Sequence, residues 1–357
     1  MDIEKLRRFN SAYVGDFPFL EELSSEWIGK KPLDGLRILH NIPLTRETML
    51  KLEPLYLAGA DVTVTHLDLP GLEPKQDCVN LLSDAGASIE LDHRKIDGEF
   101  DIALDCCAQV PAMENVRITR GYVELTQSGT PIYSALETEL PIYSIDLSKL
   151  KCLEGMFGTG EACVRAIKQF VTPELKGRKF VLIGYGKVGR GIARYLSKEE
   201  VEITVVDINE TYLEQAASAG YGTIKDIKRS TGLLEAIRGA FAVIFATGQP
   251  GLLQSLYAPS EIGDDVLLIN MGADDEFGDD YPPGRIVAGK APLNFLLDSP
   301  TTMFFIDPIF AAHNRCCENI LKGDDKGFTA LPAELDLPYV DAWSKRYGID
   351  VSDIYYE

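Results

Sequence analysis

The stretch that decides the fold is KFVLIGYGKVGRGIARYL, residues 179–196. Lys179 followed by four apolar positions (180–183) reads as a buried strand. Gly184-x-Gly186-x-x-Gly189 follows at once, and the residues after it read as a helix. In that context each glycine has a physical reason. The first permits a tight turn, the second lets a pyrophosphate approach the backbone, and the third lets helix and strand pack closely. The helix N-terminus then offers free N–H groups and a positive dipole end to the phosphates. Asp207 ends the next β-rich run, EITVVD (202–207). A carboxylate there accepts hydrogen bonds from ribose hydroxyls and repels a 2′-phosphate, so NAD is expected rather than NADP. Lys187 and Val188 lie inside the turn and belong to the expected cofactor set.

Outward from this unit the pattern repeats. AVIFAT (242–247), DVLLINM (265–271) and RIVAG (285–289) read as further strands. Ligands of a doubly wound sheet sit beyond the carboxyl ends of its strands. Thr247 and Gly248 are therefore expected near the pyrophosphate and ribose, and Asn270 near the nicotinamide ribose. Toward the N-terminus, LRILH (36–40), DVTVTHL (61–67), SIELD (88–92), DIALDC (101–106), YVELT (122–126) and PIYSI (141–145) read as a second parallel set. Helical stretches separate them, one with Thr45 as N-cap and Gly59 as stop. Residues 152–172 read as one long helix. The expected fold is α/β: two doubly wound, Rossmann-like parallel-sheet domains joined by that helix. Residues 1–150, with 310–357 returning to them, form a substrate-binding domain, and 151–309 form the NAD-binding domain.

The chain has 357 residues, enough for two domains, with 35 basic against 55 acidic residues and a net charge of −20. So acidic a surface disfavours nucleic acid and anionic membranes as partners. No secretory signal and no apolar run of roughly 20 residues is visible. Seven cysteines, in two vicinal pairs and three singles, and four histidines show no metal-ligand spacing. A reduced, cytoplasmic protein with no metal is expected.

The order of segments resembles the S-adenosylhomocysteine hydrolase family from about Pro32 to Asp336. KPLDGLRILHNIPLTRETMLKLEPLYLAGADV is similar to its first strand–helix unit. SKLKCLEGMFGTGEACVRAIKQFV is similar to the segment leading into its connecting helix, and GYGKVGRG to its NAD loop. INMGADDEF, DPIFAAHN and GFTALPAELD are similar to later family segments. The resemblance implies that Thr126, Gln127 and Ser128 touch NAD. It also implies tightly held NAD that oxidises a ribose hydroxyl before elimination and hydration, chemistry that needs several acids and bases.

Here many of those positions differ. Pro43 stands for a histidine, Leu125 for a glutamate, Leu150 for the lysine register, Glu154 for an aspartate, Gly155 for an asparagine, Ala273 for a histidine and Asp307 for a histidine. The cofactor half is kept and the substrate half rebuilt. The expected activity is that of an NAD-dependent oxidoreductase on a small polar substrate, an amino acid, amine or sugar alcohol, in a cleft between the domains. A hydrolase or lyase that recycles NAD internally, and an inert NAD-binding regulator, are the alternatives. Lys149 or Lys151 is expected as acid/base, with Glu154 and Asp307 as further catalytic candidates. Thr45, Asp105, His313 and Asn314 are expected to bind substrate. The resemblance implies a homo-oligomer, dimer or tetramer. Cys106 and Cys107 fall near the expected cleft, where the sequence shows no activating base.

Overall fold

The computed structural model describes all residues except Pro70, Gly71, Asp226, Ala273, Asp324 and Glu357. It divides into two compact units, Met1–Lys151 with Met303–Glu357, and Cys152–Thr302.

The second unit carries β7 (Lys179–Ile183), β8 (Glu202–Asp207), β9 (Gly222–Lys225), β10 (Ala242–Phe245) and β11 (Leu267–Asn270). All pair in parallel, in the order β11-β10-β7-β8-β9. Its central strands are buried at nearly every position, as a sheet covered on both faces requires. The direction of winding reverses between β7 and β10, which places the topological switch point at the end of β7, where the glycine turn begins.

The stretch 285–289 does not form the expected strand. Pro283–Arg285 and Ala288–Lys290 are short 3-10 turns, and only Val287 bridges Ile269. Pro283 removes a ladder donor and Gly289 adopts φ +61, so the apolar residues Ile286 and Val287 dock without extending the ladder. The expected long helix also differs in detail. Leu153–Gly158 is wound as a π-helix and Thr159–Phe170 as an α-helix. That helix lies backbone to backbone on the helix Lys187–Leu196. A Cβ on Gly160 would stand 2.3 Å from the Gly191 carbonyl carbon, and one on Gly191 only 1.9 Å from the Met156 carbonyl oxygen.

The first unit holds β1 (Arg37–Asn41), β2 (Asp61–Thr65), β3 (Ser88–Ile89), β4 (Gly98–Asp105), β5 (Val116–Glu124), β6 (Ile142–Ser144) and β12 (Phe328–Ala330). They form one parallel sheet in the order β12-β6-β5-β4-β1-β2-β3. Its winding reverses between β1 and β4, so Asn41 and Asp105, paired in register, mark this unit's switch point. The helix Arg46–Leu57 starts at Thr45, whose hydroxyl accepts the Thr48 N–H, and the chain turns at Gly59 with φ +87. The helix Met303–Lys322 packs its apolar face into this unit, with Ile309, Ala311 and Ala312 fully buried.

Candidate functional site

Two switch points exist, one per unit, and each is built differently. In the second unit Gly184 has φ +96, and a Cβ there would lie 2.6 Å from the Ala246 carbonyl oxygen at the end of β10. A Cβ on Gly189 would lie 2.0 Å from the Gly184 carbonyl oxygen. Both positions are closed to any side chain. Gly186 is the opposite case. Its backbone is extended, and a Cβ there would meet nothing within 4 Å. It is also the N-cap of the helix Lys187–Leu196, and no side chain caps that helix. Open space over an uncapped helix start fits a pyrophosphate, whose oxygens would accept the first-turn N–H groups of Lys187, Val188 and Gly189.

Asp207 is nearly buried at the end of β8. One carboxylate oxygen accepts the Tyr185 N–H at 2.6 Å and the other the Asn209 N–H at 2.8 Å. The side chain thus fixes the glycine turn and keeps a lone pair on each oxygen for a ribose hydroxyl. The loop after β10 has a support that sequence reasoning missed. Glu276, wholly buried, accepts the Thr247 N–H at 2.9 Å, the Gly248 N–H at 2.8 Å and the Thr247 hydroxyl. Burial pushes its carboxyl up, against these donors. Five acids lie among 274–280, and nothing in the sequence marks which one turns inward. Gly248, at φ +69, has open space at its Cβ position.

Asn270 corrects its expectation. Its amide nitrogen donates to the carbonyls of Lys290 at 2.7 Å and Asp274 at 2.8 Å, and its oxygen accepts the Gly272 N–H at 3.1 Å. It is fully buried as an internal strut of the loop after β11 and presents no polar atom to a ribose. Ala273 lies outside the described residues.

At the first unit's switch point Asp105 is wholly buried. One oxygen accepts the Asn41 amide at 2.7 Å and the Cys106 N–H at 2.8 Å; the other accepts the Val110 N–H at 2.9 Å and the Tyr133 hydroxyl at 2.8 Å. Burial, aided by the nearby Glu124, pushes its carboxyl up to about 7. Four donors leave it organising the loop rather than facing a substrate, which corrects the expectation of a direct contact. Glu124 does the same for the next turn. It accepts the N–H groups of Cys107 and Ala108, each at 3.0 Å, and both the N–H and hydroxyl of Thr126. Glu124 lies one residue before Leu125, the position at which the resemblance implies a glutamate. Gly129 is glycine because a Cβ there would lie 2.3 Å from the Glu124 carboxyl carbon. Thr126 is half-buried, and Gln127 and Ser128 are exposed beside it.

Deeper in the same unit lies a polar cluster with no expected counterpart. Lys51, fully buried, donates from Nζ to the Asn314 side-chain oxygen at 2.7 Å and contacts His40 Nε2 at 3.2 Å. Asn314 returns its amide to the Lys51 carbonyl at 2.8 Å. His313 donates from Nε2 to the Val123 carbonyl at 3.1 Å. Burial brings Lys51 down to about 7, and burial with the charge of Lys51 holds both histidines well below their usual range. His313 and Asn314 are thus core residues, fully buried, which corrects their assignment to substrate.

Asp307 is corrected too. Its two oxygens accept the Phe19 and Leu20 N–H groups at 2.8 and 3.0 Å, capping the helix Pro18–Lys30 from a distant segment. Burial pushes its carboxyl up to about 8. Thr45 serves as the N-cap already described. Lys151 is nearly buried and its N–H donates to the Ser148 hydroxyl at 3.2 Å. Lys149 is half-buried just before it. Glu154 is half-buried in the π-wound segment, where its carbonyl accepts the Thr159 hydroxyl at 3.1 Å. Among the described residues no three of His, Cys, Asp and Glu cluster so as to hold a metal ion. No helix among them is long and apolar enough to cross a membrane.

Comparison with known proteins agrees with this geometry. The TrkA-N domain family matches residues 180–251, from β7 through the loop after β10. The adenosylhomocysteinase of Aeropyrum pernix is 24% identical over 278 residues, 71% of this chain and 64% of its own length. The S-inosyl-L-homocysteine hydrolase of Methanopyrus kandleri is 23% identical over 280 residues, 71% of this chain and 63% of its own. The chain thus spans less than two thirds of these relatives. Among solved structures, the dipicolinate synthase A chain of Bacillus subtilis shares the fold, with a TM-score of 0.53, 14% identity, and coverage of 82% of this chain and 99% of that one. The second unit is a Rossmann-type domain that takes NAD.

Proposed function

We propose that the chain, which is similar to adenosylhomocysteinases over most of its length, is an NAD-dependent oxidoreductase acting on a small polar substrate: an amino acid, an amine or a sugar alcohol. One observation carries this reading. The dinucleotide turn is complete, while the positions that would move protons for hydrolysis hold proline, leucine and glycine (Pro43, Leu125, Leu150, Gly155). Such side chains cannot transfer protons.

NAD supplies a hydride acceptor when bound. The chain's own residues do the rest. Gly186 and the helix start behind it receive the pyrophosphate, and Asp207 accepts the adenosine ribose hydroxyls. Lys149 or Lys151 takes the substrate's proton at Nζ. Glu154 offers a carboxylate to a substrate ammonium. Thr126, Gln127 and Ser128 extend the cofactor contacts, and the first unit binds the substrate. The chain is proposed to act as a homo-oligomer, a dimer or tetramer.

The test is a pool assay. Purified protein with NAD is mixed with amino acids, amines and sugar alcohols, and nicotinamide absorbance is followed. Net reduced cofactor is expected from one pool. In the responding assay Lys149→Met or Lys151→Met should lower kcat by roughly 100-fold or more, with NAD affinity unchanged. No reduced cofactor, free or bound, from any pool would sink the reading.

The match over most of the chain to hydrolases of S-nucleosyl-homocysteines favours a second reading, in which NAD is reduced and reoxidised within one turnover. Product release without net reduced cofactor, lost when NAD is stripped, would identify it. Failure of both assays would leave a regulator that binds NAD without turnover.

A further inference from the structure

The vicinal pair Cys106–Cys107 sits at the end of β4, beside the first unit's switch point. Both thiols are free, and their sulfurs lie 3.9 Å apart. The two are not alike. Cys106 is buried under the sheet end, while Cys107 is half-buried next to the exposed Ser128. The Cys107 sulfur accepts the Ser128 hydroxyl at 3.3 Å, and Thr126 Oγ1, whose proton goes to Glu124, lies 3.8 Å from it. Its backbone is left-handed, φ +66, and so is that of Ala108, φ +50. Neither is glycine, so both are held in a conformation that L side chains rarely adopt. Glu124 holds them there by accepting both their N–H groups. The turn thus sets the Cys107 sulfur beside the exposed Ser128 and keeps a second, buried sulfur 3.9 Å away.

We propose that Cys106 and Cys107 form a peroxide-reactive dithiol, in which Cys107 is the attacking sulfur and Cys106 the resolving one, closing to a reversible vicinal disulfide. The oxidant is a hydroperoxide. The Cys107 thiolate attacks its terminal oxygen, the O–O bond breaks, and the alkoxide or hydroxide leaves, giving Cys107 sulfenic acid. Cys106 sulfur then attacks Cys107 sulfur. The S–O bond breaks, the oxygen departs as water with the Cys106 proton and one more, and the S–S bond forms. Two thiols lose two electrons and the peroxide gains them.

The electrostatics agree with this division of labour. The Cys106 thiol, with Ser128 and Thr126, brings Cys107 down to about 6 despite its burial. Cys106 is pushed well up by that same contact and by burial. Adjacent Cα atoms are about 3.8 Å apart, shorter than the roughly 4.4–6.8 Å usual across a disulfide. The closed ring is therefore strained and readily reduced, as suits a switch rather than a brace. Closing it takes the Cys107 sulfur away from Thr126 and Ser128 and pulls on the two N–H groups bound to Glu124, so the turn at the switch point must reset. This chemistry does not depend on the hydride-transfer reading.

The experiment uses the full-length reduced chain and dilute hydrogen peroxide, with intact-mass analysis and peptide mapping. Wild type should lose the mass of two hydrogen atoms, in a peptide holding both Cys106 and Cys107, and regain it with a dithiol reductant. Cys106→Ser should stop at one added oxygen, trapped on Cys107 by a sulfenate-specific reagent. Cys107→Ser should react at least roughly tenfold more slowly at pH 7, where the other thiols are mostly protonated. Iodoacetamide labelling of Cys107 in wild type should be half-maximal near pH 6, and Thr126→Val with Ser128→Ala should move that midpoint upward. If mapping of wild type places the first oxidation on any other cysteine, or if Cys107 labelling rises only above pH 8, the proposal fails. Both wild-type readouts decide this even if a variant does not fold.

Discussion

At the scale of single residues, the structure separates glycines that keep the fold from the one that leaves room for a ligand. Gly184 and Gly189 have backbone oxygens where a Cβ would go, whereas Gly186 faces open space. Gly186→Ala is therefore expected to leave the thermal midpoint within about 1–2 °C, a surface-like change, while lowering NAD affinity at least tenfold. Gly189→Ala should instead unfold the second unit at lower temperature. Differential scanning calorimetry with and without NAD separates the two effects. Lys51 makes a second prediction. Its amine falls from 10.5 to about 7 on folding because it is buried. Between those values the unfolded chain binds the proton that the folded chain releases, so stability rises with pH across the window. The full swing is on the order of 5 kcal/mol. Lys51→Met removes that slope but leaves Asn314 and His40 without their donor, at about 1–3 kcal/mol. Urea midpoints should show the variant less stable than wild type near pH 10 and more stable near pH 6.5. Parallel curves for the two proteins would show that Lys51 keeps its proton on folding.

At the scale of elements, β7 and β8 were legible to the residue, because five-to-six-residue β-branched runs, a glycine turn and a terminal aspartate are all local signals. The helix after Thr45 was legible for the same reason. What the sequence hid was short or long-range. β12 is three residues, Phe328–Ala330, and pairs with β6 from nearly two hundred positions away. Residues 286–287 carry strand-like side chains, yet Pro283 and Gly289 decide their path. The polar candidates Asp307, Asn314 and His313 were recognised as unusual, but their partners, Phe19, Lys51 and Val123, are far along the chain. No spacing rule reveals such pairs. Asp307 gives the element-scale prediction. It caps the helix Pro18–Lys30, which lacks a side-chain cap of its own. Asp307→Ala should cost about 1–2 kcal/mol in urea unfolding and leave the NAD dissociation constant unchanged. A loss of activity without loss of stability would return Asp307 to the catalytic list.

At the scale of the whole molecule, two parallel sheets each present a switch point, and the two are specialised differently. One is a glycine cradle whose flanking loops are held by Asp207 and the buried Glu276, suited to a dinucleotide. The other is packed with the buried carboxylates of Asp105 and Glu124, which spend their oxygens on backbone N–H groups and so shape the loops a substrate would meet. A net charge of −20 adds a field that repels polyanions at both. Since NAD binds only the folded second unit, saturating cofactor at a hundred times its dissociation constant should stabilise that unit by about 2.7 kcal/mol, visible as an upward shift of its melting transition.

The most direct measurement is calorimetric titration of wild type, Gly186→Val and Asp207→Ser with NAD and with NADP. Wild type should bind NAD at least tenfold more tightly than NADP, Gly186→Val should bind neither while melting as wild type does, and Asp207→Ser should lose the preference. Equal binding of the two dinucleotides by wild type, or undiminished NAD binding by Gly186→Val, would contradict the account.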